Sequence, residues 1–138
     1  MHITRSEARY KAMTILYQIN LYEKNNIPYQ IDEVINGELE IKNDFVNELV
    51  YGVINNKKEI DDIANKYLDN WRLERLGLTD QAILEISIYE IVYTKTPNIV
   101  CINEGIELAK KYSDEKVSKM INGVLDKVNY EYEEDNNG

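Results

Sequence analysis

The chain has 138 residues, a length that fits one domain able to bury roughly two-thirds of its unfolded surface without disulfides or metals. One cysteine, Cys101, excludes an internal disulfide framework and a multi-cysteine zinc site, and one histidine, His2, leaves none for a catalytic core. A net charge of −9 argues against a general nucleic-acid coat protein, and no apolar run approaches the ~18 residues of a membrane span.

The predicted elements are helices. Thr4 is a good N-cap with Glu7 three residues on, and Ala8, Ala12, Ile15, Leu16 and Ile19 recur at helical spacing to about Tyr22. Asn25-Asn26-Ile27-Pro28 breaks this helix, and a short one follows around Ile31–Ile35, stopped at Asn36-Gly37. Asp44 caps a helix carrying Phe45, Leu49, Val50 and Val53. After a bend at Asn55-Asn56, Ile60, Ile63, Ala64, Tyr67 and Leu68 match the i, i+3, i+4, i+7, i+8 template. Residues 71–77 read as a turn or short helix ending at Gly77. Thr79 caps the next helix, which runs from Asp80 to about Tyr93; its isoleucines and leucine spread around the axis and predict the most buried element. Thr96-Pro97-Asn98 punctuates the chain before a helix from about Val100 to Tyr112. Ser113 caps the last helix, striped by Val117, Met120, Ile121, Val124, Leu125 and Val128. The expectation is therefore an all-α single domain over residues 1–132 and an acidic, disordered tail at 133–138.

Catalytic chemistry finds little support. Cys101 lies between Val100 and Ile102 as a buried, inert thiol. The phosphate cradles GxGxxG and GxxxxGK[ST] are absent, and Asp61-Asp62 project about 100° apart on a helix. No metal or cofactor is expected. The N-terminus MHITRSEARYKA lacks a signal-peptide apolar segment, so a cytoplasmic, reducing location is expected.

Binding chemistry is better represented. Arg5, Arg9 and Lys11 face only Glu7 in the first twelve residues, and Lys110, Lys111, Lys116 and Lys119 face only Asp114 and Glu115 in a second stretch. These two weakly basic segments would form one small patch if the fold joined them. Arg5 and Arg9 are four apart and share a helix face, either as converging phosphate ligands or as a solvated face with Glu7 as partner. Tyr17 lies outside the tightest apolar face, as a contact residue or as a tyrosine partly buried under a loop. Gly52 and Gly123 interrupt helices, where close helix approach is the usual compensation, and Trp71 is expected to plug the junction between two helical halves, with an exposed stacking platform as the alternative.

Several motifs taken together resemble a family. They are Ala8-Arg9…Ala12…Leu16-Tyr17-Gln18, Leu49-Val50-x-Gly52-Val53, Trp71-x-Leu73-x-Arg75-Leu76 and Asp80-Gln81-Ala82-Ile83-Leu84. Tyr89-Glu90, Ile102-Asn103-Glu104, Glu107-Leu108-Ala109-Lys110 and Asn122-Gly123-Val124-Leu125-Asp126-Lys127 complete the series. In order and spacing the chain resembles the NusB transcription antitermination factors across residues 3–129. The resemblance implies about seven helices in two packed sub-bundles. It also implies a binding module rather than an enzyme, which pairs with the small ribosomal protein NusE and binds boxA-type single-stranded RNA of ribosomal RNA leaders within the transcription elongation complex.

Carried onto this chain, the resemblance gives Arg5, Arg9, Lys119 and Met120 as RNA-binding residues and Tyr17 and Asp80 as partner-binding residues. Four departures stand out: Ser6 and Glu7 where further cations are common, Met120 for an aromatic residue, Glu85 for an arginine and Gly105 for an alanine. Two alternatives come with the family. Some members form homodimers that cover the RNA surface, and some RNA cytosine methyltransferases carry a similar helical domain without independent RNA specificity.

Overall fold

A computed structural model of the chain describes residues 2–137, with side chains for residues 2–133. Among the described residues the secondary structure is helical: α1 (Arg5–Lys24), α2 (Ile31–Glu38), α3 (Asp44–Asn55), α4 (Lys57–Tyr67), α5 (Leu78–Tyr93), α6 (Asn98–Tyr112) and α7 (Glu115–Asn137), with a 3-10 turn at Leu73–Arg75 before α5. None of these helices is long and apolar enough to cross a membrane.

The expected central helix is central. α5 packs against α1, α3, α4, α6 and α7, and every residue from Ala82 to Ile91 is buried. The α1–α3 half closes over one side of it and α6–α7 over the other. The core is continuous across both halves, from Ile15, Leu16 and Leu49 through Ile83, Ile86 and Ile88 to Ile121 and Leu125. A helix buried on all sides carries no amphipathic stripe, which is why its isoleucines spread around the axis.

The helix starts follow local chemistry, with some shifts from the sequence reading. Thr4 Oγ1 accepts from the Glu7 N–H at 3.0 Å, as expected for α1. Asn43, not Asp44, caps α3 by accepting from the Val46 N–H at 2.9 Å. Asp114, not Ser113, accepts from the Val117 N–H at 2.8 Å at the start of α7. α5 begins two residues earlier than expected, with Gly77 at the N-cap and no side-chain cap; Gln81 Nε2 donates back to Leu76 O at 2.9 Å instead. The backbone of α7 continues past Tyr132 to Asn137, while the side chains of 134–137 and all of Gly138, on which the expected tail falls, lie outside the described residues.

The glycines divide sharply. A Cβ at Gly52 would lie 2.2 Å from the Tyr89 ring, so α3 and α5 approach closely only because residue 52 has no side chain. Gly105 is equally confined, its Cβ position 2.5 Å from Ser87 Oγ and 2.9 Å from Leu125 Cδ1, so glycine lets α6 pack closely against α5 and α7. Gly123, expected to serve the same purpose, has nothing within 4 Å of a Cβ position.

Candidate nucleic-acid interface

The first turns of α1 place two guanidinium groups on one aromatic ring. The Arg5 guanidinium carbon lies 4.1 Å from the Phe45 ring centroid and that of Arg9 5.2 Å. The four-residue spacing therefore does put both on a common face. Their depths differ. Arg5 is exposed, whereas Arg9 is 3% exposed and grips Glu90, with Nε donating to Oε1 at 2.6 Å and Nη2 to Oε2 at 2.9 Å. Glu104 adds a contact to Arg9 Nη1 at 3.5 Å and accepts from Ser6 Oγ at 2.6 Å. Burial works against the Arg9 charge, but the Glu90 hydrogen bonds and charge outweigh it and hold the guanidinium above its usual value. The expectation of two outward guanidinium groups is corrected accordingly: Arg9 neutralises a carboxylate in the wall of α5, and Arg5 alone faces solvent.

The second basic segment meets α1 through aromatic packing. Tyr10 and Tyr112 stack with centroids 5.2 Å apart, joining the second turn of α1 to the last turn of α6, where Lys110 and Lys111 are exposed. At the same corner Ser113 Oγ donates to the Asp80 carboxylate. Asp80 thus ties the first turn of α5 to the α6–α7 corner. Arg5 stands five residues before Tyr10, about 7.5 Å of helix rise away. Lys119 stands one turn into α7, exposed, its Nζ 3.4 Å from Glu115 Oε1. Among the described residues no hydrogen bond, ion pair or ring contact links Arg5 to Lys119 directly; the Tyr10–Tyr112 stack joins their segments.

Tyr17 is 40% exposed, two turns beyond Tyr10 on the same stripe of α1. Met120 is half-buried and lines a groove with Tyr67, Asp69, Trp71, Lys116 and Gly123. Trp71 does not plug the interior: it is 40% exposed, with the Lys116 ammonium 5.6 Å from its ring centroid. Cys101 is buried and its thiol is pushed up to about 12, chiefly by burial and then by Glu90, which leaves it unreactive as a nucleophile near neutral pH.

Sequence reasoning missed the second buried charge cluster. Glu85 is fully buried, accepting from Asn20 Nδ2 at 3.1 Å and from Lys57 Nζ. Lys57 also lies 3.2 Å from Asp61 Oδ2. Burial, then hydrogen bonding and charge from Glu85, push the Asp61 carboxyl up to about 8. The signal was present: two carboxylates, Glu85 and Glu90, in a helix apolar on every side must each find a cation inside the protein.

Comparison with known proteins agrees with this architecture. The family model described as the NusB family matches residues 6–130. A transcription antitermination protein NusB from Listeria innocua serovar 6a is 49% identical over 123 residues, covering 88% of this chain and 92% of the relative. The protein of that name from Bacillus pumilus is 41% identical over 128 residues, covering 90% and 93%. Among solved structures, T. maritima NusB superposes with a TM-score of 0.82 at 27% identity, covering 96% of this chain and 94% of the other. A chain from a crystal structure of antitermination factors NusB and NusE in complex with double-stranded RNA gives 0.79 at 28% identity, covering 93% and 97%.

Proposed function

The chain belongs to the NusB family, and from that premise we propose that it is a transcription antitermination factor that binds boxA-type single-stranded RNA of ribosomal RNA leaders together with a NusE-type small ribosomal protein. The observation that carries this reading is the likeness to antitermination proteins along nearly the whole chain. The geometry supports it, because the tyrosine stack draws the two basic segments of an acidic protein toward one corner.

In this reading Arg5 and Lys119 meet phosphates and Met120 covers a base. Arg9 stands behind them as the strut that fixes α1 to α5 and shares the Phe45 ring with Arg5. Tyr17 and Asp80 face the protein partner, and the assembly works in the cytoplasm on the transcription elongation complex, as a binding module without catalysis of its own. A few phosphate contacts suffice for an extended, unpaired strand, and the acidic remainder disfavours indiscriminate RNA binding.

The test is a pull-down with the NusE-type protein followed by titration of labelled boxA-like, scrambled and duplex RNA, with and without that partner. Tighter binding of the boxA-like strand by the pair is expected. Equal affinity with and without the partner, or no preference over scrambled RNA, contradicts the proposal. Light scattering during the same titration separates a self-associating form: a dimer that persists and excludes RNA favours a purely structural role.

A further inference from the structure

This inference rests on the RNA-binding reading above and concerns a side chain to which that reading gives no role of its own. Phe45 is the chain's one phenylalanine beside eleven tyrosines. It stands in the first turn of α3, half-buried against the core. Its ring is the contact that the two opening arginines share.

The two guanidinium groups are held in opposite ways. All three Arg9 nitrogens are engaged, Nε and Nη2 by Glu90 and Nη1 by Glu104. Arg5 has no side-chain hydrogen bond and no ion pair among the described residues. The exposed Glu7 is the carboxylate closest to it in sequence, yet the guanidinium lies over the Phe45 ring instead, at 4.1 Å.

The difference matters to a ligand. A carboxylate would occupy the fork of N–H donors that makes arginine a bidentate phosphate ligand. A hydrocarbon ring accepts no ordinary hydrogen bond, so it attracts the cation and leaves that fork open. A long side chain that is already oriented also loses less conformational freedom when a phosphate arrives. The ring itself is well placed. Asn43 caps α3 two residues before it, and Arg9, locked onto Glu90, borders it at 5.2 Å. Because Glu90 neutralises Arg9, the shared ring is not a site of net repulsion for Arg5. We propose that Phe45 is a positioning residue for RNA binding: its ring holds the Arg5 guanidinium with the N–H donors open, so that Arg5 meets a phosphate of the strand already oriented.

A double-mutant cycle tests this on the full chain paired with the NusE-type protein, read by anisotropy of a labelled boxA-like RNA. Phe45→Leu keeps an apolar side chain against the core and removes the ring. It is expected to weaken RNA binding about two- to fivefold, whereas Phe45→Tyr, which keeps the ring, is expected to retain it. Combined with Arg5→Ala, Phe45→Leu should add no further loss. Combined with Lys119→Ala, it should cost the same factor as in the unsubstituted chain. In the free protein, NMR is expected to show Arg5 side-chain protons displaced by the ring current and returned to their ordinary positions in Phe45→Leu.

An equal loss from Phe45→Leu with and without Arg5→Ala marks a purely structural role and overturns the proposal. Undiminished affinity in Phe45→Leu, or the same loss in Phe45→Tyr, overturns it too. So do undisplaced Arg5 resonances in the unsubstituted protein, a readout that needs no variant to fold. Each of these leaves the RNA-binding reading intact, while absence of RNA binding by the unsubstituted pair overturns both.

Discussion

The α1 and α7 sides of the proposed interface use their cations in different ways. On α1, Arg9 is turned inward onto Glu90 and is 3% exposed, so one of the three cations in the opening segment serves the fold, while Arg5 stays exposed. On α7, Lys116 and Lys119 stand in solvent, the latter 78% exposed and paired only with an equally exposed Glu115. Surface pairs of that kind contribute little to stability, which leaves those ammonium groups available to a ligand. Burial therefore divides the cations: Arg9 supports the structure, whereas Arg5 on α1 and Lys116 and Lys119 on α7 meet the outside.

Removing one cation from each side separates the two roles. Arg9→Ala leaves Glu90 buried without a counter-charge and is expected to lower stability by about 3–5 kcal/mol, measured by denaturant unfolding. Arg5→Ala removes an exposed guanidinium stacked on Phe45 and is expected to cost at most about 1 kcal/mol, while weakening RNA binding. Similar stability losses in both variants would erase the distinction.

Glycine gives the same contrast within the helices. Gly52→Ala drives a methyl group into the Tyr89 ring and is expected to cost about 1–3 kcal/mol through overpacking. Gly123→Ala meets nothing and is expected to gain up to about 1 kcal/mol. Thermal melts of the two variants should move in opposite directions.

A further expected effect concerns pH. Asp61 faces Lys57 on α4 and Glu85 on α5, which in turn holds Asn20 of α1. Its folded-state value, about 8, lies above the usual carboxylate range, so the folded protein binds the proton more tightly than the unfolded chain does. The associated stability is complete below the ordinary aspartate range and is lost as pH rises through about 8. Tm should therefore decline from mildly acidic toward alkaline pH, and Asp61→Asn should flatten that decline. An unchanged slope in Asp61→Asn would assign the effect to another group.

These contrasts also show what the sequence could and could not convey. Helical periodicity located the seven helices, and the all-round apolarity of residues 83–91 identified α5 as the centre, because burial on every side removes the need for a polar stripe. Spacing put Arg5 and Arg9 on one face, which the shared Phe45 ring bears out. Depth was not legible, since it depends on Glu90, eighty-one residues away in the chain. Caps shifted by one residue at Asn43 and Asp114 because neighbouring Asn, Asp and Ser side chains can each offer an oxygen, and only the backbone direction chooses between them. Gly52 and Gly123 looked alike in sequence; what stands opposite each one differs.

The most direct measurement is the salt dependence of RNA affinity for the chain paired with its NusE-type partner, compared with Arg5→Ala and Lys119→Ala. If each side chain neutralises one phosphate of a single strand, each substitution should make the slope of log affinity against log salt shallower by about 0.7, and the double variant by about 1.4. Slopes indistinguishable from the unsubstituted protein would contradict a grip shared between the two helices.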